Sequence, residues 1–336
     1  MVSECQAEPG IRRAVSVLGW YGKNNWGDEA FKYAFHDLFP DLYFHFVRDK
    51  PSEHLPLILG GGDVIKSSYL KEIKQPFVAV GVGLGYPSEM DLLLKSPCKA
   101  AWFRNMEDVR LSQTNEFQYC PDLAFAIKAP NVFGSPPSAR KKVAVILANS
   151  VINPKIGTRQ FGEWSYQQYL YWELAQALDA MGEWYDIHFL PMSQARFAYD
   201  EASHFEVASR MKNEKPVVLW NWSDLEGPLE FMSLLGTFDL VISMKFHGLV
   251  FSTIMGVPFV NIGLTRKTDL YCQQDAFAGL GLSIEPYSFT AERLLEKINN
   301  AEKKDIRGRL RGYAQKQFNF WHDDLAPQIR SALFSE

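Results

Sequence analysis

Paired cysteines, long apolar runs and a basic excess are all missing from this sequence, and each absence excludes a class of protein. The four cysteines, Cys5, Cys98, Cys120 and Cys272, are scattered and form no CxxC. That argues against a disulfide framework or a zinc site and for a reducing compartment. No apolar run approaches the roughly 20 residues that cross a bilayer. The opening MVSECQAEPGIRR is polar and has no apolar signal-peptide core, so a cytoplasmic protein with no membrane span is expected. Lys and Arg total 35 against 39 Asp and Glu, a net charge of -4. This balance opposes a general nucleic-acid coat, while leaving room for a local basic groove. Carboxylates at metal-ligand spacing are also missing, so the expectation is no metal and no cofactor.

What is present is a chain of 336 residues, 47% hydrophobic and 14% aromatic, long enough for two domains. Short apolar strands alternate with amphipathic helical stretches, the pattern of parallel α/β sheets. In the first half AVSVLGW (14–20), YFHFV (43–47), LPLILGGG (55–62), PFVAVGVGLG (76–85) and AAWFR (100–104) read as strands, with FKYAFHDLF (31–39) as a helix. APNVFGSPPSARKK then has linker chemistry, and the alternation restarts. KVAVILAN (142–149), DIHFLPM (186–192), PVVLW (216–220), DLVISM (239–244) and PFVNIG (258–263) read as strands. WSYQQYLYWELAQALDAM (164–181) and AERLLEKINNA (291–301) read as helices. The expected architecture is α/β, with two Rossmann-like domains facing a cleft. Their bounds are 1–130, a linker at 131–141, and 142–318, followed by a helix at 319–336 that can cross back to the first domain. Open parallel sheets bind ligands beyond the carboxyl ends of their strands, so positions just after strands are where function is sought.

Several such positions stand out. GWYGKNNWGDEAF (19–31) is a glycine-rich loop in which Asn24 and Asn25 can orient a ligand and Trp26 is an aromatic candidate. Asp28 and Glu29 stand where the next helix begins, either as ligands or as caps. In LILGGGDVI, Gly61 and Gly62 expose backbone N–H groups suited to an anion, with Asp63 beside them; tight strand–helix packing is the competing reading. GVGLGYP (81–87) lacks the full dinucleotide fingerprint and the acid that should follow it, which excludes nicotinamide redox chemistry. Arg104 closes an apolar strand, and its planar fork suits a carboxylate or phosphate, unless it serves an ion pair. Asp122, in YCPDLAF, reads as an anchor for an arginine or a loop.

The richest stretch is SMKFHGLVFSTIMGVP (243–258). On an extended backbone Lys245 and His247 point to the same side. Gly248 follows, and an apolar helix then runs to Gly256. A cation, an imidazole and a helix N-terminus are thus offered to one small volume, and all three favour an anion.

Taken in order, GWYGKNNWGDEAF, LILGGGDVI, Arg104, CPDLAF and SMKFHGLVFSTIMGVP resemble the polysaccharide pyruvyl transferase family over positions 17 to about 280. The resemblance implies a GT-B-like fold and transfer of a pyruvyl group from phosphoenolpyruvate to sugar hydroxyls as a ketal, with release of phosphate. It further implies that Arg104 and Lys245 hold the donor's carboxylate and phosphate and that His247 is the general acid. Lys267, in GLTRKTD, adds positive charge, and Gly248, Asn25, Gly61 and Gly62 complete the donor side. The expected partners are a small phosphorylated donor and a saccharide acceptor. Lys245 replaces the family's arginine, Asn105 its aspartate, and Trp26 is an unusual aromatic in the first motif. These departures keep two alternatives open. One is a GT-B glycosyltransferase with a nucleotide-sugar donor, whose acceptor is a glycan or a hydroxyl-bearing nucleic-acid base. The other is a non-catalytic binding module.

Overall fold

The computed structural model describes residues 13–132, 140–149, 163–195, 198–212, 217–263, 265–283, 289–302 and 306–335. They form two compact units. The first takes the described residues up to Tyr21, then Phe31–Ala126 and the chain from Trp321 onward. The second takes Gly22–Ala30 and Ile127–Phe320. Residues 133–139 of the expected linker lie outside the described residues, and Lys141 is already in a strand.

The first unit is built on six strands, β1 (Arg13–Leu18), β2 (Leu42–Val47), β3 (Leu57–Gly62), β4 (Phe77–Val82), β5 (Cys98–Phe103) and β6 (Phe117–Tyr119). They pair in parallel in the order β2-β1-β3-β4-β5-β6. β3 and β4 are buried along their whole length, as expected when helices cover both faces of a sheet. Helix α1 (Trp26–Leu38) presents Phe31, Ala34, Phe35 and Leu38 at helical spacing to this core. It stops before Pro40, which cannot continue a helix. The glycines of β3 let α1 come close. A Cβ on Gly60 would meet Val17 at 2.8 Å and Phe35 at 2.9 Å, and one on Gly61 would overlap the Phe31 ring. The C-terminal segment belongs to the same unit: Trp321 is fully buried, and its indole N–H donates to the Asp122 carbonyl at 3.1 Å.

The second unit carries β7 (Lys141–Ile146), β8 (Tyr185–Phe189), a small hairpin of β9 (Gln194–Ala195) and β10 (Ala198–Tyr199), then β11 (Val218–Leu219), β12 (Leu240–Ser243), β13 (Phe259–Gly263) and β14 (Gly281–Ser283). Its main sheet is parallel in the order β11-β8-β7-β12-β13-β14. Leaving out the hairpin and counting within the unit, this is the order 3-2-1-4-5-6 of a Rossmann sheet, and the strand order reverses between β7 and β12. The loops after those two strands are therefore where a ligand is expected.

Candidate functional site

Lys245 and His247 follow β12 at that reversal point. The strand ends earlier than its apolar run suggests, at Ser243, and a ten-residue helix, Phe246–Met255, begins at once. Lys245 is the extended residue before this helix, whereas His247 lies in its first turn. The expectation that the two alternate along a strand is corrected: a helix starts between them. Ser243 makes the turn, its Oγ accepting from the Lys245 N–H and donating to the Lys245 carbonyl, both at 3.0 Å. Gly248, also inside the helix, permits the tight strand–helix joint, because a Cβ there would overlap the Ser243 hydroxyl.

The first motif folds onto the same place. Asn24 is left-handed (φ 51°), and Asn25 Oδ1 accepts from the Gly27 N–H at 3.0 Å, an N-terminal cap for α1. Asp28 and Glu29 occupy the first turn of α1, and Glu29 Oε1 accepts from the Gly22 N–H at 2.6 Å. Glycine at position 27 has a specific cause: a Cβ would overlap the His247 imidazole at Nδ1. The imidazole therefore lies against the first turn of α1 while belonging to the first turn of the 246–255 helix. Two helix N-termini, each a partial positive charge, converge on one ring. The ring is buried, 9% exposed, between Phe246 (centroids 5.3 Å) and Phe251 (6.0 Å). Lys267, in the first turn of the Arg266–Cys272 helix, lies 5.8 Å over the Phe246 ring.

Lys245 is not a lone cation. Its Nζ is 2.7 Å from Asp200 Oδ1, on a carboxylate with no solvent exposure. Burial pushes the Asp200 carboxyl up to about 6, against the pull of Lys245. One turn further along the Asp200–Ala208 helix, burial and then Lys245 push the imidazolium of His204 down to about 3, so this histidine is neutral near pH 7. Its Nε2 accepts from the Leu147 N–H at 3.4 Å, just after β7. Trp26, a loop or acceptor candidate, is buried and stacks on Trp222 with centroids 3.5 Å apart and planes 7° from parallel.

Arg104, Asp63, Gly61 and Gly62 belong to the first unit and make a constellation of their own. Arg104 Nη1 lies 3.1 Å from Asp122 Oδ2, and Nη2 is bonded to Asp63 Oδ1. Burial disfavours its charge, but Asp63 and then Asp122 outweigh that and hold the guanidinium charged above its usual value. Two arms of the fork are thus taken by carboxylates, the ion-pair reading, and Asp122 is the arginine's anchor. Gly61 and Gly62 are left-handed yet lie inside β3, where packing on α1 accounts for Gly61. Asn105 bonds to Asp108 Oδ2 at 3.0 Å, and the same oxygen accepts from the Leu84 N–H.

Sequence reasoning missed Asp200, His204 and Trp222. Asp200 opens a helix after a tyrosine, in an acidic pair that reads as ordinary capping. Only the fold shows that it is buried on Lys245. Among the described residues, no group of three His, Cys, Asp or Glu could hold a metal ion, and no helix is long and apolar enough to cross a membrane.

The family model for polysaccharide pyruvyl transferase matches residues 25–266, from the α1 cap to the helix carrying Lys267. The chain belongs to the polysaccharide pyruvyl transferase family. It is therefore a transferase, and Gly27 and His247 both fall inside the match. No curated protein sequence matches it significantly. Among solved structures, the chain is similar to S. aureus MnaA bound to UDP (TM-score 0.59, 8% identity, 96% of this chain and 97% of that one). It is also similar to the UDP-GlcNAc 2-epimerase of Methanocaldococcus jannaschii in complex with UDP-GlcNAc and UDP (0.55, 8%, 90% and 99%). A third likeness is to the glycotransferase of kitacinnamycin (0.53, 10%, 96% and 100%). At these identities the likeness concerns the fold, which is GT-B-like.

Proposed function

We propose that this transferase takes its pyruvyl group from phosphoenolpyruvate and delivers it to a saccharide as a ketal, with the donor held at Lys245 and protonated by His247. The observation that carries this reading is the packing of the His247 imidazole against Gly27, which joins the family's first and last motifs in one positively polarised site. Phosphoenolpyruvate carries a phosphate and a carboxylate, and the site offers an ammonium, a second lysine at 267 and two helix N-termini. Its Nδ1 edge faces Gly27, so the opposite ring nitrogen is the one that delivers a proton. That proton adds to the donor's methylene carbon, leaving C2 oxocarbenium-like. One sugar hydroxyl attacks C2, phosphate departs with its oxygen, and a second hydroxyl closes the ketal. The two hydroxyl protons return to the histidine and to the phosphate. General acid catalysis of this kind contributes roughly 10²- to 10⁴-fold. The test is phosphate release from phosphoenolpyruvate across a panel of saccharides: acceptor-dependent release supports the reading, and silence across a broad panel defeats it.

A nucleotide-sugar donor is the second reading. The Rossmann strand order and the similarity to folds solved with UDP favour it, and a lysine in place of arginine suits a diphosphate as a point charge. Thermal shift with UDP- or GDP-sugars, and none with phosphoenolpyruvate, would select it.

A further inference from the structure

We infer that Asp200 is a positioning residue that locks Lys245 and the glycine-rich loop into one ring around the donor site. This deepens the proposed function and rests on it. The Lys245 ammonium sits 2.7 Å from Asp200 Oδ1. The other oxygen, Oδ2, accepts from the N–H groups of Met192 and Ser193 at 3.1 and 2.8 Å, and the Asp200 N–H returns a bond to the Ser193 carbonyl at 3.1 Å. The 192–194 segment in turn carries the first motif. The Met192 carbonyl accepts from the Trp26 N–H at 3.0 Å, Ser193 bridges to Asn25, and the Gln194 N–H donates to the Asn24 carbonyl at 2.9 Å. From Trp26 the chain passes to Gly27, against which His247 packs, and His247 is two residues from Lys245. The contacts close on themselves through Lys245, Asp200, Met192, Trp26, Gly27 and His247.

A carboxylate is the side chain this junction requires. Two backbone donors alone could be served by a neutral amide oxygen. Burying a full charge with no exposure is unfavourable unless an ion pair and hydrogen bonds both compensate, and here the ion partner is the donor-site lysine. The ring fixes the ammonium relative to the imidazole, and placement errors near 1 Å can cost about a hundredfold in rate. Asp200 does not face the reacting atoms; it acts through Lys245.

The test compares Asp200→Asn, Lys245→Met and the double variant. Asparagine keeps an oxygen for Met192 and Ser193 and loses only the charge. With phosphoenolpyruvate and a responding acceptor, folded Asp200→Asn should lose at least tenfold in kcat while KM changes less than about threefold. In the Lys245→Met background the same substitution should cost nothing further. Unchanged kcat in the single variant, or defects that multiply in the double, would overturn the inference. Should Asp200→Asn fail to fold, amide hydrogen exchange on Lys245→Met decides instead. Removing the ammonium should speed exchange at residues 24–27 and 192–195 at least tenfold, and unchanged rates there would overturn the ring. This arm needs no substrate. Wild-type protein without phosphoenolpyruvate turnover, but with that faster exchange in Lys245→Met, sinks the donor reading and still supports the ring.

Discussion

Each unit places a cation after a strand of a parallel sheet, yet the two cations are treated in opposite ways. In the first unit Arg104 is 1% exposed in its side chain and lies between Asp63 and Asp122, so the formal charge of the group is -1. In the second, Lys245 retains 19% exposure and shares one carboxylate. That pair is neutral, and two helix N-termini at His247 tip the surroundings positive. An arginine enclosed by two carboxylates is a brace for strand ends; a half-satisfied lysine beside an imidazole can meet an anion. Under the proposed function this difference favours the second unit for a phosphorylated donor, although by type arginine is the better anion ligand.

The comparison can be broken by substitution, and the largest effect is expected at His247. His247→Asn should lower kcat by about 10²- to 10⁴-fold with donor affinity little changed, read by phosphate release beside ligand thermal shift. A fall in affinity that matches the fall in turnover would move this histidine from proton donor to binding residue. Gly27→Ala comes next, because its methyl would evict the imidazole. A loss of about a hundredfold in kcat is expected, and near-normal turnover would show that the ring does not act from this position.

Substitutions in the first unit should act on stability instead. Arg104→Met strands two carboxylates, one of them buried, and should cost about 3–5 kcal/mol, visible as a lowered denaturant midpoint. Lys245→Arg keeps a cation opposite Asp200 and should lower stability by only about 1 kcal/mol, the central value for a single substitution. An Arg104 variant as stable as wild type but unable to bind donor would reverse the two assignments.

A smaller effect is expected from the buried titrating pair. Asp200 has its folded value raised to about 6, so the folded protein holds more protons than the unfolded chain, and its contribution falls as pH rises from about 4 to 6. His204 has its folded value lowered to about 3, so here the unfolded chain holds more protons, and its contribution falls as pH drops from about 6.5 to 3. Each slope is at most about 1.4 kcal/mol per pH unit, and over pH 4–6 they oppose. Asp200→Asn should therefore steepen the acid loss of stability relative to wild type, as read by chemical denaturation at each pH. An unchanged slope would contradict the burial of this carboxylate.

Much of the fold was legible in the sequence because apolar strands and amphipathic helices leave periodic marks. β3, β4, β8, β12 and β13 fall within two or three residues of their apolar runs. α1 begins five residues earlier than the 31–39 helix expected from its apolar positions, because Asn25 caps it and Trp26 and Gly27 are helical although they look like turn residues. Short strands such as β6 and β14 carry too few residues for a pattern. At the candidate site, Lys245, His247 and the 19–31 loop could be singled out by type and position, since strand-end residues of an α/β sheet are few. The role of Gly27 and the carboxylate under Lys245 could not, because both depend on contacts between segments far apart in the chain.

The account stands on a donor held at Lys245 beside the His247 imidazole. The most direct measurement is the ¹⁵N imidazole resonances of His247, assigned by comparison with His247→Asn, during titration with phosphoenolpyruvate. A saturable shift in wild type that disappears in Lys245→Met is the predicted result. Resonances that stay still while phosphoenolpyruvate binds would place the donor elsewhere and contradict the account.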